Sequence, residues 1–166
     1  MNSEPAALVF CDPAVSTSVK ELARQVEAKV ADLSLLIEKY TSVACPSCLS
    51  VCCINRHSHH DSSDLALLHA LGYAAPALGP GLDDAAPCGF LGARGCMLPR
   101  IMRPYRCTWY FCDALLNLLR DAPVREYRVF MNVLSGLTDK RLEMLREFEA
   151  EAAAIQPHKE IGNREI

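Results

Sequence analysis

The chain has 166 residues, of which 51% are hydrophobic and 22% are charged, and its formal net charge is −3. That length suits a single domain spanning 1–166, and those fractions allow a hydrophobic core of useful size. Because the charges nearly balance, we expect neither nucleic acid nor an acidic membrane as a partner. The apolar run over 6–11 is too short for a signal peptide or a membrane helix, so we expect the chain to stay in the cytoplasm.

A long helix is predicted near the N-terminus, after a short arm over 1–12. Its helix face is marked by apolar residues three and four positions apart: Val19, Ala23, Val26, Val30, Leu33, Ile37 and Tyr40. This spacing predicts a helix over 13–43, capped either by Asp12 or by a capping box that begins at Ser18. Such a face is typical of a helix that packs on its own domain; the alternative is a seam for a homodimer or another protein partner.

Residues 44–112 are predicted to form an irregular cysteine-rich region. One short helix over 63–71 interrupts it, and Gly72 is expected to stop that helix. The proline- and glycine-containing stretch over 73–87 is predicted to be a loop. Strand patterns are nearly absent from the whole chain, so the helices must supply the scaffold.

The C-terminal part, residues 113–155, is predicted to be helical. Three helices are expected in and just before this part, over about 108–120, 124–134 and 138–155. Gly136 separates the last two, and the polar tail over 156–166 is expected to be disordered. The predicted fold is therefore all-α, with a long N-terminal helix and C-terminal helices around an irregular cysteine-rich metal-binding centre.

The nine cysteines carry the functional signal. Cys11 stands alone, whereas the other eight lie between residues 45 and 112. An odd number of thiols in a reducing compartment argues against a disulfide framework, and clustered thiolates suit zinc, iron or an iron–sulfur cluster. The adjacent Cys52 and Cys53 point apart, so either they serve two sites or one ligates while the other packs. The predicted metal ligands are Cys45, Cys48, Cys52, Cys53, Cys88, Cys96, Cys107 and Cys112.

The second cysteine group has two further features. Three glycines between Cys88 and Cys96 suit a tight knuckle, and Cys112 is expected in the first turn of a helix, at the positive end of its dipole. No acidic residue occurs over 85–112, but four arginines do: Arg94, Arg100, Arg103 and Arg106. These cations are predicted to offset the negative charge of metal-bound thiolates. A plain basic surface and a patch for an anionic partner are the alternatives.

This spacing resembles the YkgJ-type family of zinc- or iron-chelating proteins and the cysteine cluster of flagellin lysine N-methylases. The match covers about residues 45–112, with Phe90-Leu91 and Arg103-Pro104 in the family's usual surroundings. The chain departs from the CxxCxxCC-like pattern by having three residues between Cys48 and Cys52, and Val51 where the family has glycine. The resemblance implies metal binding by the eight cysteines. It also implies an alternative function, an iron–sulfur protein in redox or methyl-transfer chemistry.

Histidines and aromatic residues near the cysteines have less specific interpretations. One of three histidines, His57, His59 or His60, could complete a metal site if one of the cysteines does not bind the metal. The simpler interpretation is that these histidines lie in a surface loop. His69 is expected at the edge of the core. The aromatic run over 109–111 is expected to bury the metal site and exclude water. No motif for a nucleophile, general base or phosphate loop is visible, which favours a binding protein and leaves catalysis open.

Overall fold

The computed structural model describes residues 15–45, 59–77, 88–92 and 95–155. Its five helices are α1 Thr17–Ala44, α2 Ser62–Leu71, α3 Arg106–Trp109, α4 Asp113–Asp121 and α5 Val124–Ile155. The described ranges also contain an antiparallel hairpin, β1 Leu91–Gly92 with β2 Gly95–Cys96, and a 3₁₀ turn at Arg100–Met102. The all-α prediction is confirmed. Among the described helices, none combines the length and apolarity that crossing a bilayer requires.

Helix α1 begins at a serine cap. The backbone of Ser16 is extended, and its Oγ accepts a hydrogen bond of 3.1 Å from the backbone N–H of Val19. The predicted capping box at Ser18 is therefore wrong, because Ser18 already lies inside the first helical turn. Ser16 instead accepts the backbone N–H of Val19, which has no acceptor within the helix. The alternative cap, Asp12, lies outside the described residues.

Helices α1 and α5 form an antiparallel pair. At one end the backbone N–H of Ser16 donates to Glu151 Oε2 over 3.3 Å, and at the other Lys39 pairs with Glu126. The N-terminal end of α1 therefore lies beside the C-terminal end of α5, and the C-terminal end of α1 lies beside the N-terminal end of α5. The predicted face of α1 is buried within the chain, which confirms that this helix packs on its own domain. The largest fully buried side chains are Val19, Val26 and Leu33 from α1 and Phe130, Leu137 and Met144 from α5.

Helix α2 packs on this pair. It begins at Asp61, whose side chain caps the helix in a reciprocal capping box with Asp64. It ends at Gly72, where φ is +77°, so the predicted stop is confirmed. That left-handed conformation costs an L side chain about 1–2 kcal/mol and glycine almost nothing. Ala66, Leu67 and Ala70 of α2 join the same core.

The helix predicted from residue 108 to 120 is wrong, because the chain bends within it. Helix α3 ends at Trp109, its C-cap residue Tyr110 is extended at φ −77° and ψ 121°, and α4 begins after its N-cap residue Cys112. Between them, Phe111 packs edge-on against Phe130 with ring centroids 5.4 Å apart. Burying this ring outweighs continuing the helix, since three aromatic residues in a row have weak helix propensity.

The predicted break at Gly136 is also wrong, because α5 runs through it for 32 residues. Positive φ among the described glycines occurs at Gly72 and Gly95, so Gly136 has ordinary helical geometry. Phe130, Leu137 and Met144 stand seven residues apart and all face α1. Each such side chain contributes about 1.5–3 kcal/mol on burial, whereas a mid-helix glycine costs only about 1 kcal/mol relative to alanine. Packing therefore decides the outcome.

Replacing Gly136 by alanine is expected to raise the free energy of unfolding by about 0.5–1 kcal/mol. The gain arises because alanine has less backbone entropy to lose in a helix interior. The added Cβ would meet only Lys29 Nζ, at 3.4 Å, which is the end of a flexible side chain. Denaturant unfolding followed by circular dichroism measures the change.

The matched control is Gly72→Ala. A Cβ at Gly72 would meet no atom within 4 Å, so any cost comes from its φ of +77° alone. This variant is expected to lose about 1 kcal/mol. If Gly136→Ala were destabilised to the same extent as Gly72→Ala, a continuous α5 would be contradicted.

Candidate metal centre

Cys88 and Cys96 flank the short hairpin. Leu91 pairs with Cys96 and Gly92 with Gly95, and the backbone N–H of Leu91 donates to the Cys88 carbonyl over 2.9 Å. Gly95 has a φ of +105°, a conformation that side-chain-bearing residues rarely adopt. Glycines therefore lie at the inner ends of both short strands, and Cys88 and Cys96 are both half-buried.

The other described cysteines stand in or beside helices. Cys45 is the exposed C-cap residue of α1, and its N–H donates to the Thr41 carbonyl over 2.9 Å. Cys107 is half-buried within α3, and Cys112 is the half-buried N-cap residue of α4 rather than part of a helix from residue 108. No disulfide joins any two of the five described cysteines.

Arg100 lies in the 3₁₀ turn, between Cys96 and Cys107 in the sequence, and both thiols affect its guanidinium electrostatically. Burial lowers the pKa of its guanidinium below the usual range, and the neighbouring charge of Arg103 lowers that pKa further. Cys96 and Cys107 act in the opposite direction and raise it, as does Glu38 of α1. Two cysteines that are eleven positions apart in sequence therefore lie within electrostatic range of one half-buried cation.

The other arginines predicted to offset thiolate charge differ in their exposure to solvent. Arg103 is half-buried, and its Nε donates to the Leu98 carbonyl over 2.9 Å. Arg106 is exposed to solvent, and Arg94 lies outside the described residues. Of the four arginines, Arg100 and Arg103 are thus in position to influence the second cysteine group.

The histidines behave as side chains of the scaffold. His59 is exposed, and His60 Nε2 donates to the Met102 carbonyl over 2.9 Å, which ties the start of α2 to the 3₁₀ turn. His69 packs edge-on against Phe148 with ring centroids 6.5 Å apart, a position at the edge of the core as predicted. His57 lies outside the described residues.

The aromatic run over 109–111 is only partly buried. Phe111 packs on the core, Tyr110 is half-buried, and Trp109 is 45% exposed. The expectation that all three side chains shield the site is therefore wrong for Trp109, because the bend after α3 directs consecutive residues to different sides of the chain.

Over the described ranges, no group of three or more His, Cys, Asp or Glu side chains is arranged to hold a metal ion. Cys88, Cys96, Cys107 and Cys112 all lie within those ranges, so the structure does not arrange three of them around a common metal position. Cys48, Cys52 and Cys53 lie outside those ranges, so this finding does not cover the first cysteine group. The eight-cysteine site therefore stays a prediction.

A buried ion pair that the sequence analysis does not anticipate lies beside the second cysteine group. Arg141 Nη2 of α5 is 2.8 Å from Asp64 Oδ1 of α2, and both side chains are only 8% exposed. The same carboxylate oxygen accepts the backbone N–H of Tyr105 over 3.0 Å, and the Arg141 guanidinium lies 4.4 Å from the centre of the Tyr105 ring. Tyr105 also shares a 2.6 Å hydrogen bond with Thr138 Oγ1.

This network joins α2 and α5 to the segment between the 3₁₀ turn and α3. It therefore holds the backbone next to Cys107 on the helical core. A sequence signal for it exists, because Arg141 stands four residues after Leu137 and three before Met144, on the apolar face of α5. A charged residue at such a position indicates a buried partner.

Comparisons with protein-family models, with curated proteins and with solved structures find no significant match for this chain. The resemblance to the YkgJ-type family rests on the cysteine spacing and stays a prediction.

Replacing Asp64 by alanine is expected to lower the free energy of unfolding by about 3–5 kcal/mol, because Arg141 would be left buried without its counter-charge. In a double-mutant cycle, Asp64→Ala combined with Arg141→Met should cost less than the sum of the two single changes. Denaturant titration of the four proteins measures this coupling.

Glu143→Ala serves as the matched control on the same helix. Glu143 pairs with Lys140 at 2.5 Å but is 55% exposed, so its loss is expected to cost no more than about 1 kcal/mol. If Asp64→Ala lowered the free energy of unfolding by as little as Glu143→Ala, the buried pair of Asp64 and Arg141 would not be important for stability.

Proposed function

We propose that this chain binds zinc or iron through the thiolates of its clustered cysteines, and that the metal stabilises its irregular central region. The observation that supports this most directly is the cluster of eight cysteines between residues 45 and 112, of which Cys96 and Cys107 lie within electrostatic range of the half-buried guanidinium of Arg100. The thiolate is the form of cysteine that ligates zinc and iron, and a nearby guanidinium would offset part of the negative charge of such a centre.

The second cysteine group offers a set of four thiols of suitable chemistry, although the part of the chain that the structure describes does not arrange three of them around one ion, so metal binding would have to draw them together. Four thiolates fill the tetrahedral shell of a structural zinc site and also suit an iron–sulfur cluster. A Zn²⁺ ion with four thiolates carries a net charge of about −2, which Arg100 and Arg103 would offset in a partly buried position. The members of this set are Cys88, Cys96, Cys107 and Cys112, and the first group supplies a second set around Cys45.

The limited apolar packing of residues 88–112 suggests that a bound metal would stabilise this segment. Between residues 88 and 112, Phe90 alone among the described large hydrophobic side chains is buried. A segment with so little apolar burial gains limited stability from the core, so ligand bonds would contribute much of its folding free energy. We propose a structural, metal-handling or protein-interaction role for this centre. Thiolate ligands also need a reducing compartment, which is consistent with a cytoplasmic location.

Anaerobic purification followed by metal analysis and a visible spectrum tests the proposal. We expect zinc or iron in near-stoichiometric amounts. A flat visible spectrum with zinc identifies a closed thiolate site, whereas brown protein with iron and acid-labile sulfide identifies the iron–sulfur alternative. Protein that is folded and contains neither metal under these conditions would contradict the proposal.

Cys96→Ser and Cys107→Ser are each expected to weaken metal binding by at least about 10-fold, since a hydroxyl is a poor substitute for a soft thiolate ligand. Competition with a chromophoric chelator measures the affinity. Cys11→Ser is the matched control, because Cys11 lies outside the cluster in sequence. An equal loss in Cys11→Ser, or no loss in the two ligand variants, would count against a site built on the second group.

Metal removal is expected to make the central region sensitive to protease while the helical core persists. The reason is that α1 and α5 bury their shared face independently of the cysteines, whereas 88–112 does not. Limited proteolysis with mass spectrometry, before and after treatment with a strong chelator, locates the cleavage sites. An unchanged digestion pattern after complete metal removal would show that the metal does not order this region.

A further inference from the structure

A small cavity lies where α1, α2 and α5 meet the 3₁₀ turn. Its volume is about 20 Å³, and its apolar walls come mainly from valine and leucine side chains of these helices. The charged side chains that line it are Arg100, Arg103, Arg141 and Asp64. Three of these four side chains are cationic, and they line a partly open cavity where charges interact more strongly than in bulk water.

Asp64 does not neutralise all three cations. Its Oδ1 already accepts hydrogen bonds from Arg141 Nη2 and from the backbone N–H of Tyr105, and its Oδ2 accepts from the backbone N–H of Asp61. The carboxylate therefore serves the buried network at the base of the cavity. Arg100 and Arg103 both line the cavity, and Glu38 of α1 acts on Arg100 only electrostatically, since no carboxylate of the described residues is hydrogen-bonded to either guanidinium.

Arg141 contributes an unused donor. The residue is 7% exposed, and its Nε is buried without a hydrogen-bond partner within the described ranges. A buried N–H of a charged group costs free energy unless an acceptor reaches it. Since Arg141 lines the cavity, an acceptor placed there would satisfy this donor.

We propose that this cavity binds a small oxyanion such as phosphate or sulfate, held by Arg100, Arg103 and the Nε of Arg141. The enclosed volume accommodates about one oxygen-sized atom, close to the requirement for a single water. One oxygen of the anion would enter toward Arg141, and the rest would remain at the mouth between the two half-buried arginines. Guanidinium groups match the geometry of tetrahedral oxyanions through paired N–H donors.

Isothermal titration of the full chain with inorganic phosphate tests this site, with sulfate as a second tetrahedral anion and chloride at equal ionic strength as the reference. We expect saturable binding of both oxyanions at one site and none of chloride. Wild-type protein should also show a higher unfolding temperature in phosphate than in chloride, since binding to the native state stabilises it. If neither saturable heat nor a shift beyond that in chloride is found, the cavity holds water and the proposal fails.

Arg100→Met and Arg103→Met are each expected to weaken phosphate binding by at least about 10-fold, the effect of losing one charge-assisted contact. Arg146→Met is the matched control, because Arg146 is exposed on α5 and removes the same charge from the chain. Its affinity for phosphate should equal that of the wild type. An equal loss in Arg146→Met would show general screening rather than a site.

The metal content of each variant separates this proposal from the thiolate centre. Weaker phosphate binding in Arg103→Met with unchanged metal content supports a distinct anion site. Loss of phosphate binding only in parallel with loss of metal, in both arginine variants, would overturn it, since the arginines would then serve the thiolates. Cys107→Ser with less metal but wild-type phosphate affinity would support both proposals as separate sites, whereas unchanged metal content in that variant would contradict only the metal proposal.

Discussion

The apolar seam between α1 and α5 is the interaction on which the rest of the structure depends. Its residues recur at seven-position intervals on both helices, so two long antiparallel helices keep one shared face along their length. Every other described helix is short, and α2 and α4 find their positions by packing against α1 or α5. Without the seam, helices of nine or ten residues would be marginal in water.

The seam leaves the cysteine-rich region without a large core of its own. The buried pair of Asp64 and Arg141 compensates in part, because it attaches the segment at Tyr105 to two helices by directional bonds. Such a network fixes a register that nonspecific apolar packing would not. The part of the second cysteine group next to Cys107 is therefore attached to the helical core by this network. This arrangement is suited to a segment that a ligand completes.

The arginines give this region its chemical character. In a chain of net negative charge, Arg100, Arg103 and Arg141 line one cavity, and Arg100 also lies within electrostatic range of two thiols. Thiolates and oxyanions are both soft or diffuse negative groups that guanidinium accommodates well. Arg100 lines the cavity and lies within electrostatic range of Cys96 and Cys107, so the two proposed occupants would influence each other through one side chain. That shared position offers a physical route by which occupancy of one site changes affinity at the other.

Features that depend on local chemistry were predictable from the sequence. The periodic face of α1 and the left-handed stop at Gly72 follow from side-chain spacing and from the conformational freedom of glycine. The cysteine spacing identifies the thiols as metal-ligand candidates because thiolate chemistry does not depend on the fold. Tertiary packing decided three features that the sequence analysis did not predict. It carries α5 through Gly136, bends the chain at Phe111, and pairs Asp64 with Arg141, since each outcome depends on burial against residues distant in sequence. Local propensities differ by about 1 kcal/mol or less, whereas burying a large side chain or pairing a buried charge is worth several times that amount.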